Sequence, residues 1–365
     1  MTTPPKTLKQ FLSFPKWIVF QLTEKCNLRC RMCYEWGESG SYHEKKDLVH
    51  LETHVVKKVI EQCRQGRPYI GLFGGEPLMH PDIIEICKFL HEMGFDYEMP
   101  TNGTLLERYA AELVLYKPAR LWISLDGPEA INDAQRGKGV YRRVISGIEA
   151  ICKEREKAGS DLPKIGVTMV VTPITYKHIE DLFLKSLDIK MLDHISIELQ
   201  LFSTEAECNE YEKILHDHFG ISGAKGARGM IWDRDEFKSI DILELIRQIS
   251  AVKTFCEQNN IYCITYPKTM THENLKHFYD GEYSKMADYN RSCAFPWIYA
   301  EISAKGEVGF CHAFYDFSCG NVYEKEFLEI WSGEAANKFK QYIRKNKLLP
   351  ICTACCNYFR DPAKI

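Results

Sequence analysis

Cys26, Cys30 and Cys33 crowd three thiols into the run EKCNLRCRMCYEW (24–36). Two cysteines make a disulfide and four close a tetrahedral metal site. Three on one short loop hold three corners of a cubane [4Fe-4S] cluster and leave the fourth iron without a protein ligand. Such an iron takes a cofactor or substrate that brings its own donor atoms, as the open position of a catalytic zinc does. A zinc-binding fragment is the plainer reading of the same spacing. A second group, Cys293, Cys311, Cys319, Cys352, Cys355 and Cys356, lies toward the C-terminus.

Composition narrows the setting. The 365 residues suffice for about two domains at roughly 150 residues each. A hydrophobic share of 45%, a charged share of 27% and a net charge of -3 describe a globular chain with no electrostatic reason to bind nucleic acid or anionic lipid. The segment MTTPPKTLKQFLSFP lacks the apolar run of a signal peptide, and no stretch offers 18 consecutive apolar residues for a membrane span. The expected location is cytoplasmic, where thiols stay reduced, so fifteen cysteines read as metal ligands and small buried hydrophobes. Cys63, Cys87, Cys152, Cys208, Cys256 and Cys263 stand singly on helical or strand patterns and are expected in the core.

The elements that position the thiols follow from periodicity. WIVFQLT (17–23), YIGLFGG (69–75), DYEMPTNG (96–103), RLWISLDG (120–127), IGVTMVVT (165–172) and HISIELQ (194–200) read as strands. Amphipathic helical runs such as LETHVVKKVIEQCRQ, PDIIEICKFLHEMG and YRRVISGIEAICKEREKAG alternate with them. Strand–helix alternation implies a parallel sheet covered by helices. Fewer than about 200 residues are short of the roughly 250 of a full eight-stranded barrel, so the expected α/β fold is a partial (β/α)6 TIM-like barrel. Chemistry in such folds gathers at the carboxyl ends of the strands, which is where the three cysteines fall. The expected organisation is a 1–15 extension, a 16–205 partial barrel, a 206–290 helical connecting region and a 291–365 cysteine-rich domain with a thin apolar core that needs metal.

The cysteine loop, followed by GGEP (74–77), TNGT (101–104) and SLDGP (124–128) in order at strand ends, resembles the radical S-adenosylmethionine (SAM) superfamily over most of the first 200 residues. The resemblance implies that the methionine amino and carboxylate groups of SAM occupy the open iron. Reductive cleavage then yields a 5′-deoxyadenosyl radical that abstracts hydrogen from a substrate. It implies cofactor-binding roles for Gly74, Gly75, Glu76, Asn102, Ser124, Asp126 and Arg136. Glu76 suits the methionine ammonium, and the two glycines suit close backbone approach to a ligand. Met32 departs from the family pattern, which usually has an aromatic there.

The C-terminal spacing is similar to the auxiliary-cluster domains called SPASM and, in shorter form, Twitch. The shorter form implies one auxiliary [4Fe-4S] cluster on Cys293, Cys311, Cys352 and Cys355, with Cys319 and Cys356 competing for two of the places and structural zinc as the alternative. His312, beside Cys311, is the expected catalytic base because histidine titrates near neutral pH; Asp316, Tyr299 and His194 are weaker candidates. The expected function is a radical SAM oxidoreductase acting on a small organic substrate, reduced by a partner such as flavodoxin or ferredoxin, with the auxiliary cluster accepting an electron. A peptide-modifying maturase and a zinc-stabilised, non-enzymatic binding module are the alternatives.

Overall fold

A computed structural model describes residues 13–359 other than Ala313. All six expected strands form: β1 (Trp17–Gln21), β2 (Tyr69–Phe73), β3 (Tyr97–Thr101), β4 (Arg120–Ser124), β5 (Lys164–Val171) and β6 (His194–Leu199) pair in parallel in sequence order. Helices α1 (Thr53–Gln62), α2 (Ile83–Glu92), α3 (Leu106–Tyr116), α4 (Glu129–Arg136) and α5 (Val140–Ala158) connect them. α1, α2, α3 and α5 each bury an apolar stripe, in α1 Val55, Val56, Val59 and Ile60, whereas α4 buries the polar Asn132, Gln135 and Arg136. In β1 all five residues of WIVFQ are buried, as a central parallel strand covered on both faces requires.

The sheet is larger than six strands. β7 (Tyr262–Tyr266) joins β6 in parallel, β8 (Tyr299–Ile302) joins β1 in parallel with Trp17 opposite Tyr299, and β9 (Val308–Gly309) closes that edge antiparallel. The order β7-β6-β5-β4-β3-β2-β1-β8-β9 leaves the sheet open. The two parallel additions come from segments expected to be a helical connection and a separate domain. They escape sequence reading because YCITY carries an exposed tyrosine at an edge and YAEI is four residues long with an acid in it.

The connecting region also supplies α6 (Glu205–Ile214), whose N-terminus is closed by a Thr204–Glu207 capping box, α7 (Ile242–Gln258), started by Asp241, and α8 (His272–Tyr279). Beyond β9 come α9 (Phe327–Ser332) and α10 (Glu334–Asn346). Here the expectation of a thin core gives way. Phe317 stacks on Phe339 at 4.5 Å, Phe310 meets Trp331 at 5.5 Å, and Lys340 lays its ammonium 4.0 Å over Trp331. Aromatics spread over separate motifs lack the periodicity that announces a core in sequence. No helix among the described residues is long and apolar enough to cross a membrane.

Ile123, fully buried in β4, and Leu115, 60% exposed on α3, test this packing. Ile123→Ala is expected to cost about 2–5 kcal/mol in a denaturant titration, and Leu115→Ala no more than about 0.5 kcal/mol.

Candidate functional site

The turn after β1 is built by short-range constraints. Cys33 N–H bonds Cys30 O at 3.1 Å, Gly37 N–H bonds Cys33 O at 2.8 Å, and Arg31 N–H bonds Gln135 O of α4 at 2.9 Å. Trp36 anchors the far end through its indole N–H on Glu24 O at 3.0 Å, with the Arg29 guanidinium 4.0 Å above its ring. The three cysteines therefore share one wall of a cleft of about 1450 Å³.

That cleft runs along the carboxyl ends of the strands. Gly74, Gly75 and Glu76 enter it after β2, Asn102 after β3, Ser124 at the end of β4, Arg136 from α4, and His312 from the C-terminal segment. Of the expected cofactor residues, Asp126 alone is not on its surface. The Asp126 side chain is fully buried, 2.6 Å from Arg136 Nε, and accepts hydrogen bonds from Gln135 Nε2 and Val170 N–H, both at 2.8 Å. It positions Arg136, whose Nη1 lies 4.0 Å from Cys30 Sγ.

Gly74 and Gly75 also have a different reason from the one expected. Gly75 N–H bonds Thr23 O at 2.8 Å and Glu76 N–H bonds Lys25 O at 2.9 Å. A Cβ on Gly74, whose φ is +135°, would stand 2.5 Å from Thr23 O, and one on Gly75 would stand 2.6 Å from Lys25 O. The glycines thus let the backbone leading into the cysteine turn lie against the β2 turn.

Glu76 is the electrostatic centre of this wall. Its side chain is fully buried and accepts from Thr101 Oγ1 at 2.7 Å, Asn102 N–H at 2.7 Å and Leu78 N–H at 3.1 Å. No ion pair to it is present among the described residues. Burial outweighs the three donors and pushes its carboxyl up to about 7. Burial likewise pushes the Cys26 and Cys33 thiols up to about 12 and raises Cys30 against the pull of Arg136. A cation beside Glu76, and metal in exchange for thiol protons, are what this wall is short of.

A second, smaller cavity of about 620 Å³ is lined by Cys293, Cys311, Cys352 and Cys355 together. Cys319 lines neither cavity, and Cys356 faces the large cleft. Burial raises the Cys293, Cys311 and Cys352 thiols, Cys352 to about 12, and a hydrogen bond with Cys356, then burial, raises Cys355. Among the described residues no three His, Cys, Asp or Glu side chains converge on a point suited to one metal ion.

His312 borders both cavities. Its Nδ1 is 3.0 Å from Glu301 Oε2 and 3.1 Å from the Tyr299 hydroxyl, which also bonds Glu301; Gln21 Nε2 donates to the other Glu301 oxygen at 2.6 Å. Burial pulls the imidazole down, but Glu301 and Cys356 overturn that and hold it well above 6.5. The imidazole therefore holds its proton more firmly than a free one, for a reason that its place beside Cys311 could not reveal. Asp316 instead receives the Gly226 and Ala227 N–H groups at 2.8 and 3.1 Å, and His194 sits at the opposite end of the sheet between Trp122 and Tyr262. Sequence reasoning missed Glu198, Gln200, Met230 and Trp232, which line the cleft. Gln200, 5% exposed, has a buried side-chain amide nitrogen with no partner among the described residues; its place just past β6 was the available signal.

Two outcomes follow. Because the Glu76 carboxyl is raised from 4.5 to about 7, its stabilising protonation is complete below pH 4.5 and lost as pH rises through about 7. Against Glu76→Gln, the metal-free chain is expected to lose about 1.4 kcal/mol per pH unit across that window, read by denaturant titrations at each pH. In Glu301→Gln, the His312 imidazole, deprived of its carboxylate, is expected to titrate at lower pH than in the parent chain, read by NMR of labelled histidine.

Comparison with known proteins agrees with this geometry. Residues 20–215 match the Radical SAM superfamily and residues 293–356 an iron–sulfur cluster-binding domain, SPASM. The tungsten-containing aldehyde ferredoxin oxidoreductase cofactor-modifying protein of Pyrococcus furiosus is 25% identical over 93% of this chain and 87% of its own length. The Fe-coproporphyrin III synthase of Methanosarcina barkeri is 24% identical over 90% and 76%. The mycofactocin maturase MftC of Mycobacterium ulcerans is 29% identical over 49% and 47%. Among solved structures, Streptococcus suis SuiB bound to S-adenosylmethionine superposes with a TM-score of 0.62 at 18% identity, covering 96% of this chain and 77% of that one. With more than half its residues matched, the chain belongs to the radical SAM superfamily, which uses SAM and a [4Fe-4S] cluster, and it carries a C-terminal SPASM iron–sulfur domain.

Proposed function

We propose that this protein is an enzyme that cleaves SAM reductively and oxidises or rearranges a small organic substrate in the large cleft. The observation that carries the reading is the meeting, on one wall, of three cysteines with a buried carboxylate that lacks a cation. Cys26, Cys30 and Cys33 would hold the catalytic [4Fe-4S] cluster, and Cys293, Cys311, Cys352 and Cys355 one auxiliary cluster. When bound, cluster and SAM supply one-electron cleavage of the sulfonium and hydrogen-atom abstraction. Glu76 receives the methionine ammonium and is drawn back to its ionised form by it. Arg136, locked by Asp126, offers its remaining donors to the SAM carboxylate, and Ser124 and Asn102 offer hydrogen bonds to its polar groups. Gln200 donates its amide to an acceptor oxygen in the cleft, which satisfies a buried group that otherwise costs about 1–3 kcal/mol. His312, held as an imidazolium by Glu301, touches the substrate side of the cleft as a proton and hydrogen-bond donor. When the substrate is oxidised, its proton would pass to His312 as the Nδ1 proton moves to Glu301, and its electron would pass to the auxiliary cluster.

A small substrate is favoured over a peptide by the relatives. Those matched over nine tenths of this chain are named for cofactor or porphyrin chemistry, while the maturase matches about half of it. The reduced partner is a flavodoxin or ferredoxin.

Anaerobic reconstitution is expected to load about eight irons per chain, two cubanes' worth. Replacing Cys26, Cys30 and Cys33 together by Ala is expected to remove about four irons and abolish 5′-deoxyadenosine formation with SAM and dithionite. Undiminished 5′-deoxyadenosine from that variant would refute the assignment.

A further inference from the structure

The C-terminal segment departs from the charge balance of the chain. From Ala335 to Phe359 it carries Lys338, Lys340, Arg344, Lys345 and Lys347 and no Asp or Glu, in a chain of net charge -3. Lys338, Arg344, Lys345 and Lys347 are exposed, as is Arg291 on the adjoining stretch of chain, and none of these five forms an ion pair with a described residue. Arg344 lies 5.8 Å over the half-buried Trp297 ring.

This basic face lies against the auxiliary cysteines. Cys293 N–H bonds Lys347 O at 3.1 Å, and Leu349 N–H points at Cys352 Sγ at 3.2 Å. Leu348 and Leu349 line the cavity of the four cysteines on one side and a surface groove of about 970 Å³ on the other. Two leucines therefore separate that cavity from the outside. Glu207, Glu210 and Tyr342 line that groove and no Lys or Arg does, so the acidic groove bounds the basic side chains on one side and gives the field a direction.

Resting on the reading of Cys293, Cys311, Cys352 and Cys355 as cluster ligands, we infer that this face is the docking surface for a small acidic one-electron carrier protein. Weak redox encounters use small, wet interfaces below about 1,200 Å², and charge complementarity supplies their on-rate. Exposed Arg291, Arg344 and Lys347 beside the half-buried Trp297 and Leu348 have that anatomy. A carrier seated there stands over the two-leucine wall and exchanges one electron at a time with the centre behind it.

The test measures binding of oxidised flavodoxin to the iron-loaded enzyme by biolayer interferometry at low and at 0.15 M ionic strength. The Arg344→Glu/Lys345→Glu enzyme is expected to lose about tenfold or more in on-rate and most of the salt dependence. The Arg344→Gln/Lys345→Gln enzyme is expected to fall between it and the parent. Iron content and dithionite-driven SAM cleavage, unchanged in both variants, show that the folded enzyme is intact. Flavodoxin binding that is unaltered by charge reversal overturns the inference. So does equally tight, equally charge-dependent binding of duplex DNA or anionic vesicles, which would make the face a general polyanion surface. Failure of the parent enzyme to cleave SAM with dithionite refutes the proposed function instead, and is read separately from flavodoxin binding.

Discussion

The cleft depends on one backbone contact, the approach of residues 23–25 to residues 74–76. Two N–H···O bonds and two glycines without room for a Cβ hold the turn after β1 against the turn after β2. Through it, the loop of Cys26, Cys30 and Cys33 and the buried carboxylate of Glu76 become a single wall. Parallel neighbouring strands place both turns at the same sheet edge, and the absent side chains close the last few ångströms. A larger residue at either glycine would strain the route of the chain into the cysteines before it touched any ligand.

Charge in the cleft is arranged by what is withheld. Asp126 is fully spent on Arg136, Gln135 and Val170, so Arg136 is fixed without its partner facing the cleft. Glu76 is hydrogen-bonded yet lacks a counter-ion, and Glu35, buried beside the cysteine turn, is pushed up to about 7 by burial and then by Glu301. Glu301 in turn is joined to Tyr299, His312 and Gln21. A ligand with a compact positive charge is thus met by preformed acceptors and costs little reorganisation.

Much of this was legible in sequence because local rules governed it. Six alternating strands and their helices announced themselves by periodicity, and the cysteine turn, GGEP and TNGT fell at strand ends, where open α/β sheets bind ligands. The illegible parts are long-range. β8 reads as a four-residue fragment until β1 is beside it, and the aromatic cluster around Phe339 and Trp331 is assembled from separate motifs. Asp126 could be identified as a charged residue at a strand end, but not as one that faces inward. His312 could be placed beside Cys311, while the carboxylate that decides its protonation lies eleven residues away on a strand that sequence did not reveal. Cys356 and Cys319 were indistinguishable as ligands by spacing, since spacing carries no information about which way a side chain turns.

Neighbouring Cys355 and Cys356 face different chambers, the first the small cavity and the second the large cleft. The two thiols are hydrogen-bonded to each other, so the dipeptide ties the chambers together: it cannot be pulled toward one without reshaping the other. Metal held by the rear chamber's cysteines would thereby set the contour of the front one, and the order of filling would become part of how the front chamber acquires its shape.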